Sequence, residues 1–165
     1  MPVLSLLRYP DPRLRQAVPP AALPDPAVST AAADLAETLA AHGAIGLTGP
    51  HAGLSLRITV IRLGPAEPLV TYVNPALVWA SSETARHREG SVAMPGVDEE
   101  VERPARVRVR FQDLDGTERQ IAAEGFLAAC LQHEIDQLDG LFWTERLSRL
   151  KRDRLLKRFG KVGRG

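Results

Sequence analysis

The chain has 165 residues, 44% of them hydrophobic and 25% charged, and a formal net charge of +1. That is enough for one domain with a buried core and an ordinary soluble composition. No apolar run nears the roughly 20 residues of a membrane span, and no basic flank followed by an apolar core marks a secretory signal. A single cysteine, Cys130, excludes an internal disulfide framework and suits a cytoplasmic protein.

Residues 1–27 contain Pro10, Pro12, Pro19, Pro20, Pro24 and Pro26, which predict an extended arm. Ser29 or Thr30 then caps a helix running through Leu35 and Leu39, with Gly43 as its stop. Leu56–Leu63 and Leu69–Val78 read as strands, the second interrupted at Pro75. In Arg106–Phe111, Val107, Val109 and Phe111 alternate with three arginines, which predicts a half-buried strand. Asp115-Gly116 supplies a turn into Arg119–Ala123 and completes a hairpin. Gly125–Leu138, ended by Gly140, is the strongest helix, with the stripe Phe126, Ala129/Cys130, His133, Gln137.

The charge is unevenly spread. Glu145–Gly165 holds nine Lys/Arg against two acids, +7, leaving twelve bases and eighteen acids, −6, elsewhere. Apolar residues at 147, 150, 155, 156 and 159 predict a basic amphipathic helix over 146–159 with a frayed end. Such a helix is either a solvated element packed on the body or a contact for RNA, the ribosome or another polyanion. Among the histidines, His42 and His87 lie in polar contexts that predict surface positions.

The most telling segment is Gln132-His133-Glu134-Ile135-Asp136-Gln137. In H-E-x-x-H, histidines at i and i+4 share one helix face and bind one metal, while the glutamate handles protons. Here Gln137 occupies the second histidine position. A neutral amide oxygen replaces an imidazole nitrogen.

Taken with Leu7–Arg15, Tyr72–Pro75, Glu102–Val109 and Leu147–Arg154, this segment resembles the peptide deformylase family, over nearly the whole chain. The resemblance implies an α+β fold, antiparallel sheets around a central helix, spanning residues 1–165 as one domain with a basic C-terminal helix over 145–165. It also implies removal of the formyl group from N-formylmethionyl peptides, with a nascent chain as partner and a divalent metal such as Fe, Zn or Ni as cofactor. Three family motifs build that site, and each is altered here. G-x-G-L-A-A-P-Q is present as Ala44-Ile45-Gly46-Leu47-Thr48-Gly49-Pro50-His51, so His51 replaces the glutamine that helps hold the oxyanion. E-G-C-L-S is present as Glu89-Gly90-Ser91-Val92-Ala93, so Ser91 replaces the thiolate ligand. H-E-x-D-H ends in Gln137, and of three family ligands only His133 remains.

A serine hydroxyl is neutral near pH 7 and a far poorer ligand for Fe(II) or Zn(II) than a thiolate. The set Ser91, His133 and Gln137 therefore predicts a degenerate metal site without resident metal, and a pseudoenzyme. By the resemblance, Glu134 is the acid/base, the Val92 amide binds a carbonyl oxygen, and Glu89 with Arg103 braces the site. Ile45, Gly46, Leu47, Gly90, Phe126, Ala129 and Cys130 would form the methionine pocket. Three other arrangements stay open. One is an active amide hydrolase with a metal rebuilt on His51, His133 and Glu134. Another is metal-free acyl chemistry with Ser91 as nucleophile and His133 or His51 as base. The third is a binder of formyl-Met N-termini, or a scaffold, that performs no chemistry.

Overall fold

A computed structural model describes residues 2–162. Seven strands and three helices form an α+β architecture: α1 (Pro26–His42), β1 (Gly46–Thr48), β2 (Ile58–Ile61), β3 (Val70–Ala80), β4 (Thr84–Ser91), β5 (Met94–Pro104), β6 (Arg106–Gln112), β7 (Glu118–Glu124), α2 (Gly125–Leu138) and α3 (Arg149–Val162). Five strands pair antiparallel in the order β1-β2-β3-β6-β7, and β4-β5 forms a separate hairpin. Helix α2 touches all seven strands.

The alternation in β6 decides which side of the large sheet meets α2. Val107, Val109 and Phe111 point inward and pack with Ile61, Tyr72, Ala123, Ala128, Leu131 and Ile135. The opposite side of β1–β3 carries Leu47, Ile58, Val60 and Val73 against Val28, Leu35 and Leu39 of α1. A third cluster joins the arm, β5 and the C-terminal segment through Leu14, Met94, Val101, Phe142, Trp143 and Leu155. Burial of the Val, Leu, Ile, Met and Phe side chains among them contributes roughly 1.5–3 kcal/mol each.

Several boundaries differ from the sequence reading. The arm is extended except for a 3-10 turn at Pro12–Arg15, and α1 starts four residues before Thr30. Asp25 is the cap, accepting from Ala27 N at 2.9 Å, with Pro26 in the first turn, where its missing N–H costs nothing. Gly43 ends α1 in the left-handed conformation, φ 59°. Strand β2 is half the expected Leu56–Leu63, because Leu56 and Arg57 lead into it without ladder pairing. Strand β3 continues past Pro75 by shifting register between Val73 and Ala76. Asn74, at φ 53°, sits in that irregularity. Its amide bonds Ala21 in both directions, at 2.7 and 2.9 Å, and so ties the arm to the sheet. The Asp115-Gly116 turn into β7 is formed, with Gly116 N donating to Asp113 O at 2.9 Å.

The hairpin β4-β5 has no counterpart in the sequence reading. Its residues are mostly polar, so period-two hydrophobicity is weak. It nevertheless brings Glu89 and Arg103 under α2.

The C-terminal helix runs over Arg149–Val162, and residues 163–165, where fraying was expected, lie outside the described residues. It docks through Leu155, Leu156 and Phe159, whereas Leu150, expected on the apolar stripe, is 61% exposed. Its cations are divided between body and solvent: Arg152 pairs with Glu145 and Arg158 with Glu99. Among the described residues, no helix is long and apolar enough to cross a membrane.

Candidate functional site

A cavity of about 440 Å³ opens beside α2. Helix α2 contributes Phe126, Ala129, Cys130, His133 and Glu134, β1 and the residues before it contribute Ala44, Ile45 and Gly46, and the end of β4 with its turn into β5 contributes Glu89, Gly90, Ser91 and Val92. His51, from the 3-10 turn Pro50–Ala52, lines the cavity too. The helical stripe Phe126, Ala129/Cys130, His133 thus faces one concavity. Ile45 and Phe126 stand partly exposed at its edge, and His42, exposed as expected, also lines it. His87 is half-buried and leans on Phe126, ring centroids 6.2 Å apart.

Two motif residues lie elsewhere. Leu47 points into the α1 core and does not line the cavity. Gln137 is also absent from the lining, and its Nε2 donates to the carbonyl of Leu14 at 2.6 Å. The position that holds a metal in the family motif here fastens the arm to the central helix.

Charge beneath the cavity is arranged as a row of alternating sign. His133 Nδ1 donates to Glu89 Oε1 at 2.7 Å. Arg103 grips Glu89 through Nε at 2.5 Å and Nη2 at 2.9 Å, and reaches Asp136 through Nη1 at 2.8 Å. Arg146 closes the row with two bonds of 2.9 Å to Asp136. Burial opposes the charge on Glu89, but the bonds from His133 and Arg103 outweigh it and bring its pKa down to about 2. Burial likewise works against His133, yet Glu89 and Glu134 together push its pKa above the usual value. Asp136 and Arg146 were not singled out from sequence. Asp136 stands in the H-E-x-D-H motif and Arg146 opens the basic tail, but neither position carried a predicted role.

Glu134 is 5% exposed, and its Oε1 lies 3.8 Å from His133 Nε2. Its other oxygen has no partner among the described residues. Burial raises its pKa to about 7, partly offset by His133. Gly46 makes room for it, since a Cβ there would lie 2.9 Å from Glu134 Oε1. His51 is 1% exposed, and its Nδ1 lies 3.0 Å from both the amide nitrogen and the hydroxyl of Thr48. Its Nε2 is buried and unpartnered. Burial, with a smaller contribution from His133, lowers the His51 pKa to about 3.

Ser91 Oγ accepts from Ala93 N at 3.1 Å and makes no hydrogen bond to an imidazole among the described residues. A nucleophile–base pair is therefore not assembled there. Burial pushes the Cys130 thiol up to about 12, which leaves it protonated and unreactive.

Known proteins resemble this chain in both sequence and fold. The polypeptide deformylase family model matches residues 3–153. A "peptide deformylase-like" protein of Brucella melitensis is 52% identical over 164 residues, covering 99% of this chain and 100% of that one. A peptide deformylase of Polynucleobacter necessarius is 41% identical, over 98% of this chain and 95% of its own length. The crystal structure of peptide deformylase from Ehrlichia chaffeensis in complex with actinonin superposes with a TM-score of 0.91 at 32% identity, each chain fully covered. That from Legionella pneumophila gives 0.91 at 34% identity, over 99% and 96%. With sequence, fold and the placement of α2 in accord, the chain belongs to the peptide deformylase family.

Proposed function

We propose that this protein binds the formylmethionyl end of a peptide or nascent chain in the α2 cavity and does not perform the family's standard metal-dependent deformylation. The observation that carries this reading is the contrast between an open, partly apolar cavity and a dispersed donor set. A pocket of a few hundred Å³ with a few convergent polar groups is the usual form of a small-ligand site. Ile45, Val92, Phe126, Ala129 and Cys130 offer apolar surface to a thioether side chain, and His51, His133 and Glu134 offer polar atoms to the formyl group.

The family's divalent metal does not fit the residues present. Ser91 supplies a neutral hydroxyl, and Gln137 spends its amide on Leu14. His133 alone of the three positions keeps an imidazole nitrogen. Among the described residues no group of three or more His, Cys, Asp or Glu side chains is placed to hold an ion, and His51, His133 and Glu134 do not form one. The bland alternative for the basic tail, a helix packed on the body, is supported by its ion pairs to Glu99 and Glu145.

A second reading, an amide hydrolase with a non-standard site, draws on Glu134, whose pKa of about 7 suits a general base. One experiment separates the two. Formyl-Met-Ala-Ser and Met-Ala-Ser are titrated into the protein by calorimetry, and deformylation is followed with Fe(II), Ni(II), Co(II) or Zn(II) supplied. Preferential binding of the formylated peptide without turnover supports the binder. Turnover above that of Glu134→Ala with any metal refutes it in favour of the hydrolase.

A further inference from the structure

The outer side of the large sheet carries charge that the fold leaves unanswered. Val107, Val109 and Phe111 of β6 point toward α2, so Arg106, Arg108 and Arg110 stand on the other face, exposed to solvent. Helix α1 covers that face over β1, β2 and Val73 but leaves β6 and the end of β3 open. Trp79, in the open part of β3, is 42% exposed. Two of the cations lie over its ring, with the guanidinium carbons of Arg108 and Arg106 at 5.3 and 5.9 Å from the centroid.

We propose that this face, Trp79 with Arg106, Arg108 and Arg110, binds a segment of single-stranded RNA, the arginines meeting phosphates and the indole stacking on a base. None of these four residues lines the α2 cavity, so the surface does not depend on what that cavity binds.

The strand register argues for an anionic partner. Alternate residues of a strand stand roughly 7 Å apart on one face, and like charges in such a row repel. A sheet that had only itself to stabilise would set acids across from them. Arg106 has such partners, with Glu124 opposite it on β7 and Glu83 at 3.5 Å. Arg108 is flanked by Trp79 and Ala122, and Arg110 by Ala76 and Gln120, so neither neighbouring strand offers them an acid. Among the described residues, Arg106 is the one member of the row that forms an ion pair. A backbone of regularly spaced phosphates supplies the missing charge.

The exposed ring narrows the choice of anion. An acidic protein surface would be met by arginines without an indole. A flat ring among guanidinium groups on an open sheet is how splayed RNA bases are held, because every base has a face to stack. A second copy of the chain fits less well. A two-fold contact centred on the row would press guanidinium groups against guanidinium groups.

The test is titration of the protein with a uridine oligomer of about ten nucleotides, read by anisotropy of a labelled oligomer and by tryptophan fluorescence. Trp143, the other tryptophan, is 2% exposed, so quenching reports on Trp79. We expect saturable binding with quenching, an affinity largely kept by Trp79→Phe, and a loss of about tenfold in Trp79→Ala. Arg108→Gln with Arg110→Gln should flatten the slope of log affinity against log salt by about 1.4, at roughly 0.7 per phosphate contact. Arg154→Gln with Lys157→Gln neutralises two exposed cations of α3 instead and should change the slope by less than half as much. All of these side chains are exposed, so the substitutions leave the core intact. Absence of binding at low salt, binding without quenching, or an α3 pair equal in effect to the sheet pair overturns the proposal. Self-association that Trp79→Ala abolishes, with no RNA bound, overturns it in favour of a second copy.

Discussion

Gln137 gives its amide proton to the carbonyl of Leu14 across 2.6 Å and 123 positions of sequence. Both groups are buried, and the neighbouring bond from Val18 N to Leu138 O, 3.0 Å, fastens the same stretch of arm to the same turn of α2. Gln137→Ala leaves the Leu14 carbonyl without its partner, so we expect a loss of about 1–3 kcal/mol. Urea denaturation measures it, and a midpoint equal to wild type would show that the bond contributes nothing.

Replacing Ser91 by Cys and Gln137 by His together restores the family's three ligand types around His133. The double variant should bind one equivalent of Co(II) with thiolate-to-metal absorbance, and wild type should show none. An uncoloured double variant would mean that the surroundings of the site have changed as well as its ligands.

Arg103 lies between two buried carboxylates, Glu89 and Asp136. Arg103→Met strips both of that guanidinium, and loss of one member of a buried ion pair costs roughly 3–5 kcal/mol. Arg146→Met, at the half-exposed end of the row, should cost less than half as much. Chemical denaturation of the two variants side by side decides whether position in the row sets the cost.

Glu134 gives stability a distinctive pH dependence. Its folded pKa of about 7 lies above the ordinary 4.5, so the folded protein holds the extra proton between these limits. Its contribution is fully present below the unfolded pKa and is lost as pH rises through about 7. The shift corresponds to roughly 3 kcal/mol. Glu134→Gln removes that loss, and its stability relative to wild type should climb between pH 4.5 and 7. His51, with a pKa lowered to about 3, acts in the opposite sense, since its contribution is lost as pH falls below 6.5. A flat difference curve for Glu134→Gln would show that Glu134 titrates normally.

Gly46→Ala tests the packing at the cavity wall. Its methyl group would lie 2.9 Å from Glu134 Oε1, so the carboxylate must move. We expect about 1–3 kcal/mol of destabilisation and weaker binding of formyl-Met peptide. Unchanged affinity would place Glu134 outside the recognition surface.

Much of this could be read from sequence where a single physical signal dominated. Helix α2 announced itself by a stripe at helical spacing, and β6 by strict alternation of valines and arginines. The hairpin β4-β5 gave no such signal, because its residues are mostly polar and no period-two apolar stripe marks its two consecutive strands. The start of α1 was misplaced because Ser29 and Thr30 are good caps, while Asp25 followed by proline is a better one. At the site, residue types were legible but side-chain directions were not. Nothing in the sequence said that Gln137 turns to Leu14, that Leu47 faces α1, or that Thr48 claims one nitrogen of His51. These depend on which backbone groups the fold brings within 3 Å.

The row Arg146–Asp136–Arg103–Glu89–His133 lets this chain carry Ser91 and Gln137 at two of the family's motif positions and keep its architecture. Ser91 and Gln137 are not members of the row, so exchanging their side chains strands no buried charge. Substitution at those two positions leaves this ionic frame intact, whereas substitution at Glu89, Arg103 or Asp136 leaves a buried charge unpaired. The motif positions at the cavity can thus change while the ionic frame beneath them holds the fold.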